Sequence, residues 1–114
     1  MRIDHYSFGS ITIDGKEYSS DVIIYSERVD SSWWRQEGHN LQPADLTDIV
    51  KAKPDILIVG TGFFGVMSVP AETISFLKSH GLEVQVMPTK KAVELFNDVQ
   101  GKTKSCVAAL HLTC

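Results

Sequence analysis

The chain has 114 residues, 43% of them apolar, and a formal net charge of −3. At this size a chain buries about 60–70% of the surface it exposes when unfolded, so a single α/β domain over residues 1–114 needs neither disulfide nor metal. The longest apolar runs are too short to span a bilayer, and the first residues lack a signal-peptide profile. The cations are dispersed, apart from Lys90-Lys91 and Lys102/Lys104. A cytoplasmic protein is therefore expected, with neither a membrane nor a nucleic acid as partner.

The first part of the chain is β-rich. Residues 4–8 and 10–13 have strand composition, and Asp14-Gly15 is a hairpin signal because both positions tolerate positive φ. Residues 18–25, with Val22-Ile23-Ile24, supply the return strand. Residues 26–41 form no convincing element yet hold Arg28, Trp33, Trp34, Arg35, Gly38 and His39. A connection this long in a compact domain is usually functional or disordered, and two tryptophans argue for order.

Beyond residue 41 the pattern alternates. Leu46, Ile49 and Val50 share one face of a short helix, with Pro43 in its first turn and Pro54 past its end. Residues 56–59, Ile-Leu-Ile-Val, read as a strand buried on both faces. Pro70 opens a second helix with Ile74 and Leu77 facing inward, and Gly81 ends it. Residues 83–87 form the next strand. Thr89 is placed to N-cap a third helix that buries Ala92, Val93 and Phe96. Residues 105–112 form a last strand of open direction. The expected fold is a three-layer α/β domain: a largely parallel or mixed central sheet, helices on its faces, and an antiparallel N-terminal β-hairpin.

Four candidate chemistries follow. Gly60, Gly62 and Gly65 have the G-x-G-x-x-G spacing of a dinucleotide loop. The context fails: Pro70 would interrupt the helix, and the next strand ends in Val86-Met87-Pro88 rather than in a ribose-binding acid. A tight turn that lets Phe63 and Phe64 pack is the simpler reading, and no cofactor is expected. A milder form places a small anion beyond the carboxyl ends of the strands. Residues 26–28, Gly60, Thr61, Gly62, Thr89 and Lys90 would meet there, joined by Arg35 and His39 from the long loop. A metal site is not expected, since His111 and Cys114 project to opposite faces of an extended strand. Cys106 lies in an apolar strand that suppresses its thiolate, and it is too far from Cys114 to pair with it. Whether any reaction is catalysed stays open; His39 is the one acid–base candidate. Trp33 and Trp34, one turned in and one out, could with Arg35 form a contact for a protein partner.

These residues also carry a family resemblance. Trp34-Arg35-Gln36-Glu37-Gly38-His39, Leu41-Gln42-Pro43-Ala44-Asp45, Ile58-Val59-Gly60-Thr61-Gly62, Val69-Pro70, Leu77-Lys78-Ser79-His80-Gly81, Thr89-Lys90-Lys91-Ala92-Val93-Glu94-Leu95-Phe96-Asn97 and His111-Leu112-Thr113-Cys114 are spread over most of the chain. In their order and spacing they resemble the small domain family of unknown activity that includes the adipogenesis-associated domain protein and mitochondrial complex I assembly factor three. The resemblance implies an α/β fold particular to that family and action through protein association rather than a defined reaction. It supplies no catalytic residues. With no mitochondrial presequence read in residues 1–5, a cytoplasmic binding or assembly domain is the leading expectation, and a small-anion or metabolite-binding protein or enzyme is the rival.

Overall fold

Two sheets and three helices build the molecule, seen in a computed structural model that describes residues 1–102 and 105–114. Lys104, one of the clustered lysines, lies outside the described residues. β1 (Ile3–Ser7), β2 (Ser10–Ile13) and β3 (Lys16–Tyr18) form an antiparallel sheet in that order. The turn between β2 and β3 is Asp14-Gly15, both at positive φ (49° and 81°), as that dipeptide predicts.

The second sheet has five strands. β4 (Val22–Ile24), β5 (Val29–Asp30), β6 (Ile56–Gly60), β7 (Glu83–Met87) and β8 (Cys106–Leu110) lie in the order β5-β4-β8-β6-β7. β6 runs parallel to both β7 and β8, whereas β4 is antiparallel to β8 and to β5. The mixed central sheet and the N-terminal hairpin thus match the expected class. The return strand does not: it is Lys16–Tyr18 alone, and Val22–Ile24 belongs to the other sheet. All three residues of β4 are buried, which a solvent-facing hairpin could not provide.

Helix α1 (Thr47–Ala52) follows a 3-10 turn at Pro43–Leu46 and ends at Lys53, which is left-handed at φ 50°. α2 (Ala71–Ser79) connects β6 to its neighbour β7 across one face. α3 (Thr89–Val99) carries the chain from β7 past β6 to β8 across the other. The direction of travel reverses between these two crossovers, so right-handed connections place their helices on opposite faces. Among the described residues, no helix is long and apolar enough to cross a membrane.

The period-2 alternation of the strands divides the core. Ile23, Leu57, Val59, Val107 and Ala109 face one side with Leu46, Ile49 and Leu77. Val22, Ile24, Ile58, Ala108 and Leu110 face the other with Ala92 and Phe96 of α3 and with Ile3, Ile11 and Ile13 of the small sheet. The small sheet therefore shares a layer with α3. Two helix faces differ in detail from the expected pattern. α2 buries Thr73 and Leu77 while Ile74 is half-buried, because the Thr73 hydroxyl donates to the Leu41 carbonyl at 2.9 Å. On α3, Val93 is half-buried and Ala92 and Phe96 are buried.

Ala108 is fully buried within the α3-side cluster, where small side chains allow helix and sheet to close up. Ala108→Ile should lower stability by about 1–3 kcal/mol through overpacking. A fall in the urea midpoint with an unchanged m-value would register it. An unchanged midpoint would mean that unfilled space exists beside β8.

Candidate functional site

The glycine loop after β6 closes on the chain's own last residues. A Cβ on Gly60 would lie 2.7 Å from Thr89 Oγ1 and 2.9 Å from Leu110 Cδ2. A Cβ on Gly62, itself at φ 110°, would overlap the backbone of Thr113 and Cys114. Both glycines are therefore required by close backbone approach. Four of the loop's amides are engaged by the protein itself. Gly62 N donates to Thr89 Oγ1 (2.8 Å), Phe63 N to Thr113 O (3.2 Å), Gly65 N to Gly62 O (3.2 Å) and Val66 N to Cys114 O (3.0 Å).

Gly60, Thr61, Gly62 and Thr89 do meet at the carboxyl edge, but around residues 111–114 rather than around a vacant anion cradle. Thr89 is not an N-cap. It is the first residue of α3, after Pro88, and its buried hydroxyl donates to the His111 carbonyl at 2.6 Å. Lys90 is exposed and lines a shallow groove with Arg2, Asp4, His5 and Glu94. Residues 26–28 lie at the opposite edge, near Ser105 and Cys106, because β4 runs against β8. The same reversal carries Asp21, just before β4, to the carboxyl edge.

Asp21 is the residue the sequence does not advertise. Its Oδ2 accepts from Arg35 Nη2 at 2.8 Å and lies 2.8 Å from His111 Nδ1, and its Oδ1 accepts from Leu112 N at 2.8 Å. An ionised carboxylate only accepts, so His111 Nδ1 carries the proton of that bond. Burial alone would raise the Asp21 carboxyl. The hydrogen bonds from His111, Leu112 and Arg35 outweigh it and hold the group at about 2. Arg35 also donates to the Gly38 carbonyl and stacks on the Trp33 ring, its Cζ 4.6 Å from the centroid. The His39 ring lies against His111, with centroids 5.7 Å apart. His111 thus contacts both Arg35 and His39, and Asp21 binds Arg35 and His111. Three buried side-chain atoms have no hydrogen-bond partner among the described residues, Tyr25 Oη, Arg35 Nη1 and His111 Nε2, and the last two belong to this cluster.

The tryptophan pair divides as alternation predicts. Trp33 is buried and donates from Nε1 to the Asp45 carbonyl, while Trp34 is 75% exposed. Of the three expected partner contacts, Trp33 and Arg35 are therefore held inside and Trp34 alone is presented. Phe63 and Phe64 do not pack beneath the turn. They project outward, Phe64 being 72% exposed, and meet Phe8 from the β1–β2 turn. Centroid separations are 5.1 Å for Phe63–Phe64, 5.7 Å for Phe8–Phe63 and 6.1 Å for Phe8–Phe64. Val66 is also exposed in this loop. Phe8 has no sequence signal beyond a large apolar residue beside a turn glycine.

Cys106 and Cys114 are both free, and burial pushes the Cys106 thiol up to about 11, which removes it as a nucleophile near neutral pH. Among the described residues, no group of three or more His, Cys, Asp or Glu side chains is placed to hold a metal ion.

Asp21 has a folded-state pKa below its ordinary 3.8, so its contribution is complete above about pH 4 and disappears as pH falls through about 2. The shift corresponds to about 2 kcal/mol. Urea midpoints across this range should fall accordingly, and Asp21→Asn should abolish that increment. At neutral pH the same variant leaves a buried guanidinium unpaired and should cost about 3–5 kcal/mol. A neutral-pH midpoint equal to wild type would refute the ion pair's role.

Residues 3–111 match a family described as protein of unknown function (DUF498/DUF598). The conserved hypothetical protein PH1505 from Pyrococcus horikoshii is 33% identical over 100% of both chains, with a TM-score of 0.85. A Bordetella parapertussis protein is 23% identical, with 97% of this chain and 94% of that one covered and a TM-score of 0.82. A Bordetella pertussis protein described as a Mth938-like domain is 20% identical, with 97% and 85% covered and a TM-score of 0.78. These last two likenesses concern the fold alone. The chain belongs to the DUF498/DUF598 family, the small-domain family that its dispersed motifs resemble.

Proposed function

We propose that this domain is a non-enzymatic protein-docking module whose contact surface is the aromatic rim of Phe8, Phe63, Phe64 and Val66. The observation that carries the reading is three phenylalanine rings in mutual contact yet largely open to solvent. Contiguous exposed aromatics of this kind mark binding surfaces, and large rigid rings make strong anchors. The rim is held rigid from below: Phe63 N and Val66 N donate to Thr113 O and Cys114 O, and Gly9 N donates to Leu112 O at 3.0 Å. Less conformational freedom is then lost on docking. Residues 6–13 and 56–71, which carry the rim, contain no charged side chain. The matching face of the partner is accordingly apolar. A membrane surface is the poorer fit, since these segments offer no Lys or Arg for anionic headgroups.

The double variant Phe8→Ser/Phe64→Ser should fold with a melting temperature within a few degrees of wild type, because exposed positions contribute little to stability. Quantitative cross-linking in cells should then show a partner retained by wild type and by Trp34→Ala but lost from the double variant. Equal recovery by all three proteins would reject the rim.

A second reading rests on the orphaned Arg35 Nη1 and His111 Nε2. Buried polar atoms need partners, and one small group could supply both with His39 as its cover. Asp21 already neutralises Arg35, and His111 Nε2 accepts while Arg35 Nη1 donates, which favours a small neutral group that both donates and accepts, such as a primary amide, over a phosphate. Titration with formamide, followed by the imidazole nitrogen resonances, should then move His111 Nε2 saturably. A linear response or none would reject this site.

A further inference from the structure

The two sheets have four outer strands, and three of them are guarded. β5 has only two residues, one of them Asp30. β3 carries Lys16 and Glu17. β1 is bulged between Ile3 and His5, and Asn97 of α3 covers its outer side: the Asn97 side chain accepts from Ile3 N at 3.0 Å and donates to Ile3 O at 2.8 Å. Short length, charge, bulges and covering groups are the devices that keep sheet edges from pairing. β7 has none of these in its middle. Val84, Gln85 and Val86 include no charge and no proline, and the pairing with β6 runs without a register shift from Glu83 to Met87.

The ladder fixes which backbone groups point outward. Glu83 N donates to Asp55 O, and Met87 O accepts from Thr61 N, so residues 83, 85 and 87 turn their polar groups toward β6. By alternation, Val84 and Val86 turn theirs away from the sheet. Val86 is also 39% exposed.

We infer that β7 is a self-association edge that pairs antiparallel with β7 of a second copy about a two-fold axis at Gln85. In that register Val84 of each copy faces Val86 of the other, and the outward groups of both pairs exchange four backbone hydrogen bonds. The valines meet on the α2 side of the joined sheet. The two Gln85 amides, each both donor and acceptor, stand side by side on the α3 side. Each Glu83 faces Met87 of the other copy. The two Glu83 Cα atoms are then about 14 Å apart along the strands, and each carboxylate accepts from its own Gln85 Nε2 at 3.3 Å. The contact is isologous and closes at two chains. It does not rest on the aromatic rim: the rim follows β6 at the carboxyl end, so a two-fold axis at Gln85 leaves one rim free at each end.

Analytical ultracentrifugation from low micromolar to near-millimolar concentration tests the inference. Wild type should shift from 12.6 kDa toward twice that mass. Val86→Lys adds a charge to the edge. Val86→Pro removes one outward N–H without touching the ladder to β6. Both should stay monomeric throughout, with wild-type circular dichroism. Exchange of the Val84 and Val86 amides in wild type should slow by about tenfold or more as dimer forms. A wild-type monomer at every concentration, a dimer in both variants, or a dimer without protection at Val84 and Val86 would each overturn the inference. Protection that appears only when a different protein is added to a monomeric wild type would assign the edge to another chain's strand, and would overturn it equally.

Discussion

A guanidinium taken out of water must find an anion, and Arg35 finds Asp21. That requirement organises the carboxyl edge of the molecule. Asp21 precedes β4, Arg35 sits in the long loop, and His111 and Leu112 follow β8, so one carboxylate ties together three segments far apart in the chain. The link to Leu112 fixes where the last residues run. Tyr6 Oη and Gly9 N donate to the Leu112 carbonyl, and Phe63 N and Val66 N donate to the two residues beyond it. The glycine loop and the β1–β2 turn are thus both fastened to the same strap. The aromatic rim exists because these two turns are held side by side.

Much of the fold is legible where local chemistry and tertiary context agree. β6 is a run of four apolar residues that only a doubly covered strand accommodates. β7 ends where Pro88 forces it to, and Asp14-Gly15 sets its turn through positive φ. The misread parts are those where the deciding partner lies far away in sequence. Val22–Ile24 is three residues long, too short for periodicity to distinguish a hairpin arm from a central strand. Its assignment depends on β8, which is nearly the whole chain away. Once β4 is antiparallel, Asp21 and residues 26–28 exchange ends, and the composition of the site changes with them. Thr89 resembles a cap because threonine precedes a helical run. Its hydroxyl is instead taken by Gly62 N and the His111 carbonyl, neither of them visible to a local rule.

The glycine fingerprint illustrates how a motif can keep its geometry and lose its ligand. In a dinucleotide site, glycines permit close approach of a pyrophosphate to backbone amides. Here Gly60 and Gly62 permit the same closeness, but the approaching groups are Thr89, Leu110, Thr113 and Cys114 of the chain itself. The amides of Gly62, Phe63, Gly65 and Val66 donate to the protein instead. Fold-level likeness to other α/β proteins therefore carries no inference about nucleotides, in keeping with the independence of fold and activity.

Two features run against what stability and solubility alone would favour. Phe8, Phe63 and Phe64 could bury their rings only if the loops turned inward, and the strap at residues 111–114 occupies that space. β7 could be guarded by one lysine, as β3 is. Both departures sit on rigid scaffolding rather than on loosely held chain, so neither is a by-product of weak packing. A sequence whose local choices otherwise agree with its fold concentrates its disagreements at working surfaces. The rim and the bare edge are such disagreements, and they lie on different sides of the carboxyl end: one follows β6, the other is β7 itself. A partner on the rim and a second copy on the edge could be held at once, since neither contact uses the residues of the other.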